Sequence, residues 1–105
     1  TTKITFLGTG GALPPAHHAQ SGLILEKADR KLLVDCGSGV LLRLGEGGID
    51  LGEISTILIS HLHLDHVSEV LPIITARWLM GHIQPEVIGP NGIKNYLRIK
   101  LQLTT

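Results

Sequence analysis

Six residues, HLHLDH at positions 61 to 66, place three histidines and an aspartate directly behind an apolar run from Thr56 to Ser60. A strand that ends in such a cluster holds polar groups on a rigid base, so the fold must contain a sheet that carries its chemistry at a strand end. In an extended segment alternate side chains point the same way. His61, His63 and Asp65 are therefore expected to project together, with Leu62 and Leu64 facing apolar packing. His66 breaks the alternation and reaches a second position if the chain turns there, which permits two adjacent metal ions on one short segment. Imidazole nitrogen and carboxylate oxygen are the donor set expected for zinc, with manganese or iron as alternatives that spacing leaves open. A two-metal site needs more ligands than these residues supply, and one position must stay open for water. The plainer reading, a polar surface loop, gives no reason for an apolar strand to end in a cluster of an infrequent residue.

The remaining chain reads as short strands followed by helices. Lys3 to Leu7 alternates polar and apolar residues and stops at Gly8, Gly10 and Gly11, as a strand entering a tight turn does, and residues 12 to 21 form a loop. Gly22 to Glu26 and Lys31 to Asp35 form a hairpin about the charged turn from Lys27 to Arg30. Ser38 is placed to cap a helix through Leu44, with Val40, Leu41 and Leu44 on one face. Pro72 suits a first helical position, predicting a helix from Pro72 to Met80 on which Ile74 and Trp78 stack, Trp78 toward the core and Arg77 at the surface. Glu86 to Ile88 is a short strand, and Ile93, Leu97 and Leu101 recur at helical spacing behind Asn91. Strands alternating with helices give an α/β layered arrangement with the motif at a sheet edge. Gly8 and Gly10 begin a dinucleotide-binding pattern, but Leu13 occupies its third glycine position, so a Rossmann reading is weaker.

Bulk properties narrow the function classes. A chain of 105 residues is one domain or part of one, and 43% hydrophobic against 17% charged residues suits a piece whose apolar faces expect partners. Nine basic and nine acidic side chains cancel, so no global field draws the chain to nucleic acid or to an anionic membrane. Cys36 is the single cysteine, which fits a reducing compartment and a cytoplasmic protein, and no apolar stretch is long enough to span a membrane. With no base patterned beside it, Cys36 reads as a small buried residue rather than a nucleophile. His82 reads as a helix-end histidine, and His17 and His18 as solvated loop residues rather than as a lining of the substrate entrance.

HLHLDH behind an apolar strand resembles the HxHxDH signature of the metallo-β-lactamase superfamily. FLGTGGALPP at the start, Ser21-Gly22, VDCGSG at 34 to 39 and LPIITARW behind the motif are similar to ribonuclease Z and its metal-dependent hydrolase relatives, over essentially the whole chain. The resemblance implies an αββα sandwich, of which residues 1–105 are the N-terminal half of a single domain. It implies a zinc-dependent phosphodiesterase or endoribonuclease that uses metal-bound hydroxide on RNA, precursor tRNA above all, and works as a homodimer. By it His61 and His63 hold one zinc, Asp65 and His66 the other, Asp65 acts as general base, and Asp35 supports the metal loop, where the plain reading is a turn residue. The remaining ligands, a histidine, an aspartate and a last histidine, are expected outside this chain.

Two departures bear on substrate. Ribonuclease Z has an Arg-Asn pair just before its small residue and Ser-Gly, whereas His18, Ala19 and Gln20 precede Ser21 here, and Leu64, Ser68 and Glu69 stand where glycine is frequent. They point toward the broader hydrolase branch, so a small phosphodiester or another ester (sulfate ester, thioester or lactone) is the rival substrate. A non-catalytic fragment that lacks the remaining ligands is the rival of a different class.

Overall fold

A computed structural model of the chain describes residues 2–10, 19–62 and 64–97, and for residues 64 and 65 the backbone alone. One mixed sheet holds five strands in chain order: β1 (Thr2–Gly8), β2 (Gly22–Lys27), β3 (Arg30–Val34), β4 (Ile54–Leu58) and β5 (Glu86–Ile88). The first three pair antiparallel and β3, β4 and β5 parallel. Parallel neighbours need crossovers. One is helix α1 (Val40–Glu46) with a 3-10 turn at Leu51–Glu53, and the other is α2 (Leu64–Val67) followed by α3 (Val70–Leu79). The α/β layered expectation is met.

The two faces of the sheet differ in cover. Ile24, Leu33 and Ile57 lie side by side across β2, β3 and β4 and are wholly buried, packed in one cluster with Val40 and Leu44 of α1, Val70 and Ile73 of α3, and Ile93. The opposite face is also apolar. One cross-strand row runs Phe6, Leu23, Val34, Leu58, Ile88, and a second runs Ile4, Leu25, Leu32, Thr56. Ile4, Phe6 and Ile88 are nevertheless 54, 67 and 48% exposed. That double-sided apolar pattern, which made β2 and β3 read as continuous hydrophobic runs, belongs to a sheet built to be covered on both sides.

Three local readings change. Helix α3 begins at Val70, two residues before Pro72, so the proline falls inside the first turn where its missing N–H has no intrahelical partner to lose. The helix buries Val70, Ile73 and Arg77, while Trp78 is 64% exposed. Arg77 and Trp78 thus exchange the roles expected of them. The Arg77 guanidinium donates to the carbonyls of Leu51 (2.6 Å), Ile54 (2.5 Å) and Ile83 (2.6 Å), which ties α3 to the start of β4. Those carbonyls take three of its N–H donors, whereas Nε is buried without a partner among the described residues. Ser38 does not cap α1: the cap position is Gly39, in the left-handed region at φ 90, without a side-chain bond. The strand expected at Thr56 to Ser60 is shifted to Ile54–Leu58, although Ile59 continues the ladder by donating to the Ile88 carbonyl at 2.8 Å. Residues 93–97 are helical as expected, and Leu101 lies outside the described residues.

Candidate metal centre

The centre is built where two parallel strands end together. Val34 pairs with Leu58, so Asp35 and the residues after Leu58 leave the sheet side by side, and the Asp35 amide donates to the Leu58 carbonyl at 2.8 Å. Asp35 adopts φ 60, a left-handed conformation that aspartate and asparagine tolerate better than most residues. This backbone directs its carboxylate across to β4 instead of along β3. Oδ1 accepts from the Ser60 amide at 2.7 Å, and Oδ2 accepts from the Ser60 hydroxyl at 2.8 Å. Oδ2 also lies 2.8 Å from His66 Nδ1, in a group that is 5% exposed. The plain turn-residue reading of Asp35 therefore falls short.

The donor directions follow from counting protons. An ionised carboxylate only accepts, so Ser60 Oγ spends its single proton on Asp35. Ser60 Oγ is also 3.1 Å from His61 Nδ1 and must there accept a proton from the ring. His66 Nδ1 likewise donates to Asp35. With both rings neutral, these contacts assign each imidazole to the Nδ1–H tautomer; the ring centroids stand 3.8 Å apart at an interplanar angle of 47°. An imidazole held through one ring nitrogen by a carboxylate or hydroxyl has the outer support typical of a metal-ligating histidine. His61 and His66 therefore fit the metal that the motif implies.

The backbone of the motif differs from the extended run expected. Leu64–Val67 is helical, and the turn at α2 brings His66 back to Asp35 and His61. His63, the side chain of Asp65, His17 and His18 lie outside the described residues. Among the described residues no group of three His, Cys, Asp or Glu side chains is placed to hold a metal. His82 is elsewhere: its amide donates to the Arg77 carbonyl at 3.0 Å and its ring lies against Gly52, where a Cβ would come within 2.5 Å of it.

The loop that carries Asp35 is bonded on both sides. The Cys36 amide donates to the His66 carbonyl at 2.7 Å, the Glu69 amide to the Cys36 carbonyl at 2.8 Å, and the Gly37 amide to the Ser21 carbonyl at 3.0 Å. Gln20, 8% exposed, accepts from the Ser38 amide through Oε1 at 2.9 Å while its own amide donates to the Ser38 carbonyl at 2.8 Å. Burial, reinforced by the charges of Asp35 and Glu69, pushes the Cys36 thiol far above its ordinary range, which opposes the thiolate that a nucleophile needs. Ser60 had no role in the reading of the sequence, and Gln20 and Glu69 entered it only as departures from the ribonuclease Z pattern. Only Ser60 had a usable signal, because a parallel pairing of the strands ending at positions 34 and 58 sets residue 35 opposite residue 59, one position from Ser60.

Comparison with known proteins agrees with this architecture. Residues 2–101 match the family model described as Anti-Pycsar protein Apyc1. Ribonuclease Z of Methanopyrus kandleri is 40% identical over 85 residues, which cover 81% of this chain and 30% of that protein. Ribonuclease Z of Enterococcus faecalis is 33% identical over 106 residues, covering 97% and 34%. The chain thus spans about a third of the length of these relatives. Among solved structures, the short form of human tRNase Z superposes with a TM-score of 0.87 at 31% identity over 99% of this chain and 40% of that one. The metallo-β-lactamase fold protein YhfI of Bacillus subtilis gives a TM-score of 0.82 at 31% identity, over 93 and 41%. The family match over residues 2–101 and the identity to these relatives settle its kinship: the chain belongs to the Anti-Pycsar protein Apyc1 family, as a ribonuclease Z-like member of the metallo-β-lactamase superfamily.

Proposed function

We propose that the chain supplies the first part of a dinuclear centre in a metal-dependent hydrolase that cleaves phosphodiesters. The observation that carries this reading is the linkage from His61 through Ser60 and Asp35 to His66, which holds two imidazoles side by side through their Nδ1 atoms at one strand end. His61 and His63 would hold one metal, and Asp65 and His66 the other, zinc being the first choice with manganese or iron as alternatives. When bound, the two ions neutralise the charge of the phosphodiester and promote ionisation of the attacking water. Asp65 would take the proton of that water through its carboxylate, and Asp35 would hold His66 in register throughout. The remaining ligands would come from the part of the relatives' length that this chain does not span. The exposed apolar face of the sheet, with Ile4, Phe6 and Ile88, would receive the second sheet of an αββα sandwich.

Relatives named Ribonuclease Z and tRNase Z support RNA as the substrate class. A specific observation favours a second reading, a small phosphodiester. Ala19 and Gln20, in the segment where ribonuclease Z carries its Arg-Asn pair, are both buried, and Gln20 spends its side chain on the Ser38 backbone. Neither offers a cation to an RNA backbone. No helix among the described residues is long and apolar enough to cross a membrane. We place the whole protein in the cytoplasm, as a homodimer.

The deciding assay uses the chain extended to the length of its relatives and loaded with zinc or manganese. It compares a precursor tRNA with a 3′ trailer, bis(p-nitrophenyl) phosphate and a carboxyl ester. Cleavage of either phosphodiester, abolished in Asp65→Ala, is the expected result. Full metal occupancy with turnover of the carboxyl ester alone would sink the proposal.

A further inference from the structure

Glu69 stands just before α3, where it occupies the N-cap position, yet its side chain makes no bond to that helix. Its Oε1 instead accepts from the Leu41 amide of α1 at 2.8 Å, across 28 residues of sequence. Helix α1 needs this acceptor. Its own cap residue, Gly39, has no side chain to offer, and its first turn contains no acidic residue. A carboxylate so placed satisfies an otherwise orphaned helical N–H, and the partial positive charge of both helix N-termini favours it.

The bond matters for the metal centre because of what it joins. Glu69 lies three residues after His66, and Leu41 lies six after Asp35. The two segments already meet through backbone bonds, from the Cys36 amide to the His66 carbonyl and from the Glu69 amide to the Cys36 carbonyl. The Ser38 and Ser68 hydroxyls touch at 3.3 Å on the same seam. Glu69 closes this seam with a charge-assisted bond, so the turn after the motif cannot slide along the loop that presents Asp35. The contact between Asp35 Oδ2 and His66 Nδ1 is already short at 2.8 Å, and a displacement of the turn by an ångström would break it.

We infer that Glu69 is a positioning residue for His66: by fastening the α2–α3 junction to the first turn of α1, it keeps His66 Nδ1 on Asp35 and so keeps Nε2 as the ligating atom. This rests on the reading of His66 as a metal ligand, but its test needs neither metal nor substrate. Nitrogen-15 NMR of the imidazoles in the metal-free chain, at pH about 8 where imidazole in water is neutral, reports which ring nitrogen of His66 carries the proton. Native chain and Glu69→Gln, which retains an amide oxygen for Leu41, are expected to show His66 as the Nδ1–H tautomer. Glu69→Ala and Glu69→Asp, the latter one methylene too short, are expected to lose more than half of that population while retaining native circular dichroism. If Glu69→Ala does not fold, the Asp and Gln variants decide between them. A native tautomer population in Glu69→Asp, or its loss in Glu69→Gln, overturns the inference. Failure of the extended protein to cleave phosphodiesters would overturn the proposed function and leave this result standing.

Discussion

Replacing Asp35 by asparagine is the most direct probe of the centre, since asparagine accepts the left-handed backbone at φ 60 and nearly preserves the shape of the side chain. One amide oxygen can still accept from the Ser60 N–H. The amide nitrogen, however, replaces Oδ2, the atom that faces both the Ser60 hydroxyl and His66 Nδ1. Ser60 Oγ can rotate and accept instead of donating. His66 Nδ1–H cannot, so it must lose its partner or change tautomer. Loss of one hydrogen bond to a charged group in a buried site corresponds to about 1.5–3 kcal/mol. Asp35→Ala removes all three bonds and adds about 1–2 kcal/mol of left-handed strain, so its cost should exceed that of Asp35→Asn and reach about 4 kcal/mol. Equilibrium urea unfolding of the metal-free chain, followed by circular dichroism, measures both without interference from metal binding. In the extended protein, the same Asp35→Asn change should weaken zinc binding by about 10- to 100-fold, as expected for a residue that orients a ligand. A stability change within about 0.5 kcal/mol together with native zinc affinity would refute the account of the Asp35–His66 contact.

Three further outcomes follow from other parts of the structure. Arg77→Met should destabilise the chain by about 3 kcal/mol, because three carbonyls lose a charged donor, whereas Trp78→Ala on the exposed side should cost less than about 1 kcal/mol; urea midpoints in the reverse order would contradict the inward face of α3. Burial raises the Cys36 thiol, so at pH about 8.5, where an open thiol is half ionised, iodoacetamide should leave it intact in the folded chain and modify it in urea. Comparable labelling rates in the two states would argue against its burial. The uncovered sheet face should drive self-association of this chain, and Ile4→Thr with Phe6→Thr, which preserve strand propensity, should shift its sedimentation toward monomer; an unchanged profile would show that another surface is responsible.

Much of the architecture was legible because it depends on local chemistry. β5 falls on Glu86–Ile88 as read, and the hairpin strands lie within a residue or two of their expected ends, since glycine and charged turn residues leave few alternatives. The cluster of potential donors at 61 to 66 was legible for the same reason: donor identity is written in residue type. The orientation of α3 was not, because one residue of phase decides which of Arg77 and Trp78 is buried, and three carbonyls from distant segments chose Arg77.

The sequence by itself determined which atoms are available to a metal: three imidazoles and a carboxylate in six residues, behind a strand too apolar to lie anywhere but in a core. Only the tertiary structure decided how they are held. A parallel pairing set Asp35 beside Ser60, a helical turn at Leu64–Val67 returned His66 to the pair, and Glu69 reached across 28 residues to fasten the seam. Residue type fixes what a group can donate or accept. Its protonation and direction depend on the partner it meets, and no spacing along the chain specifies a partner 25 or 31 residues away.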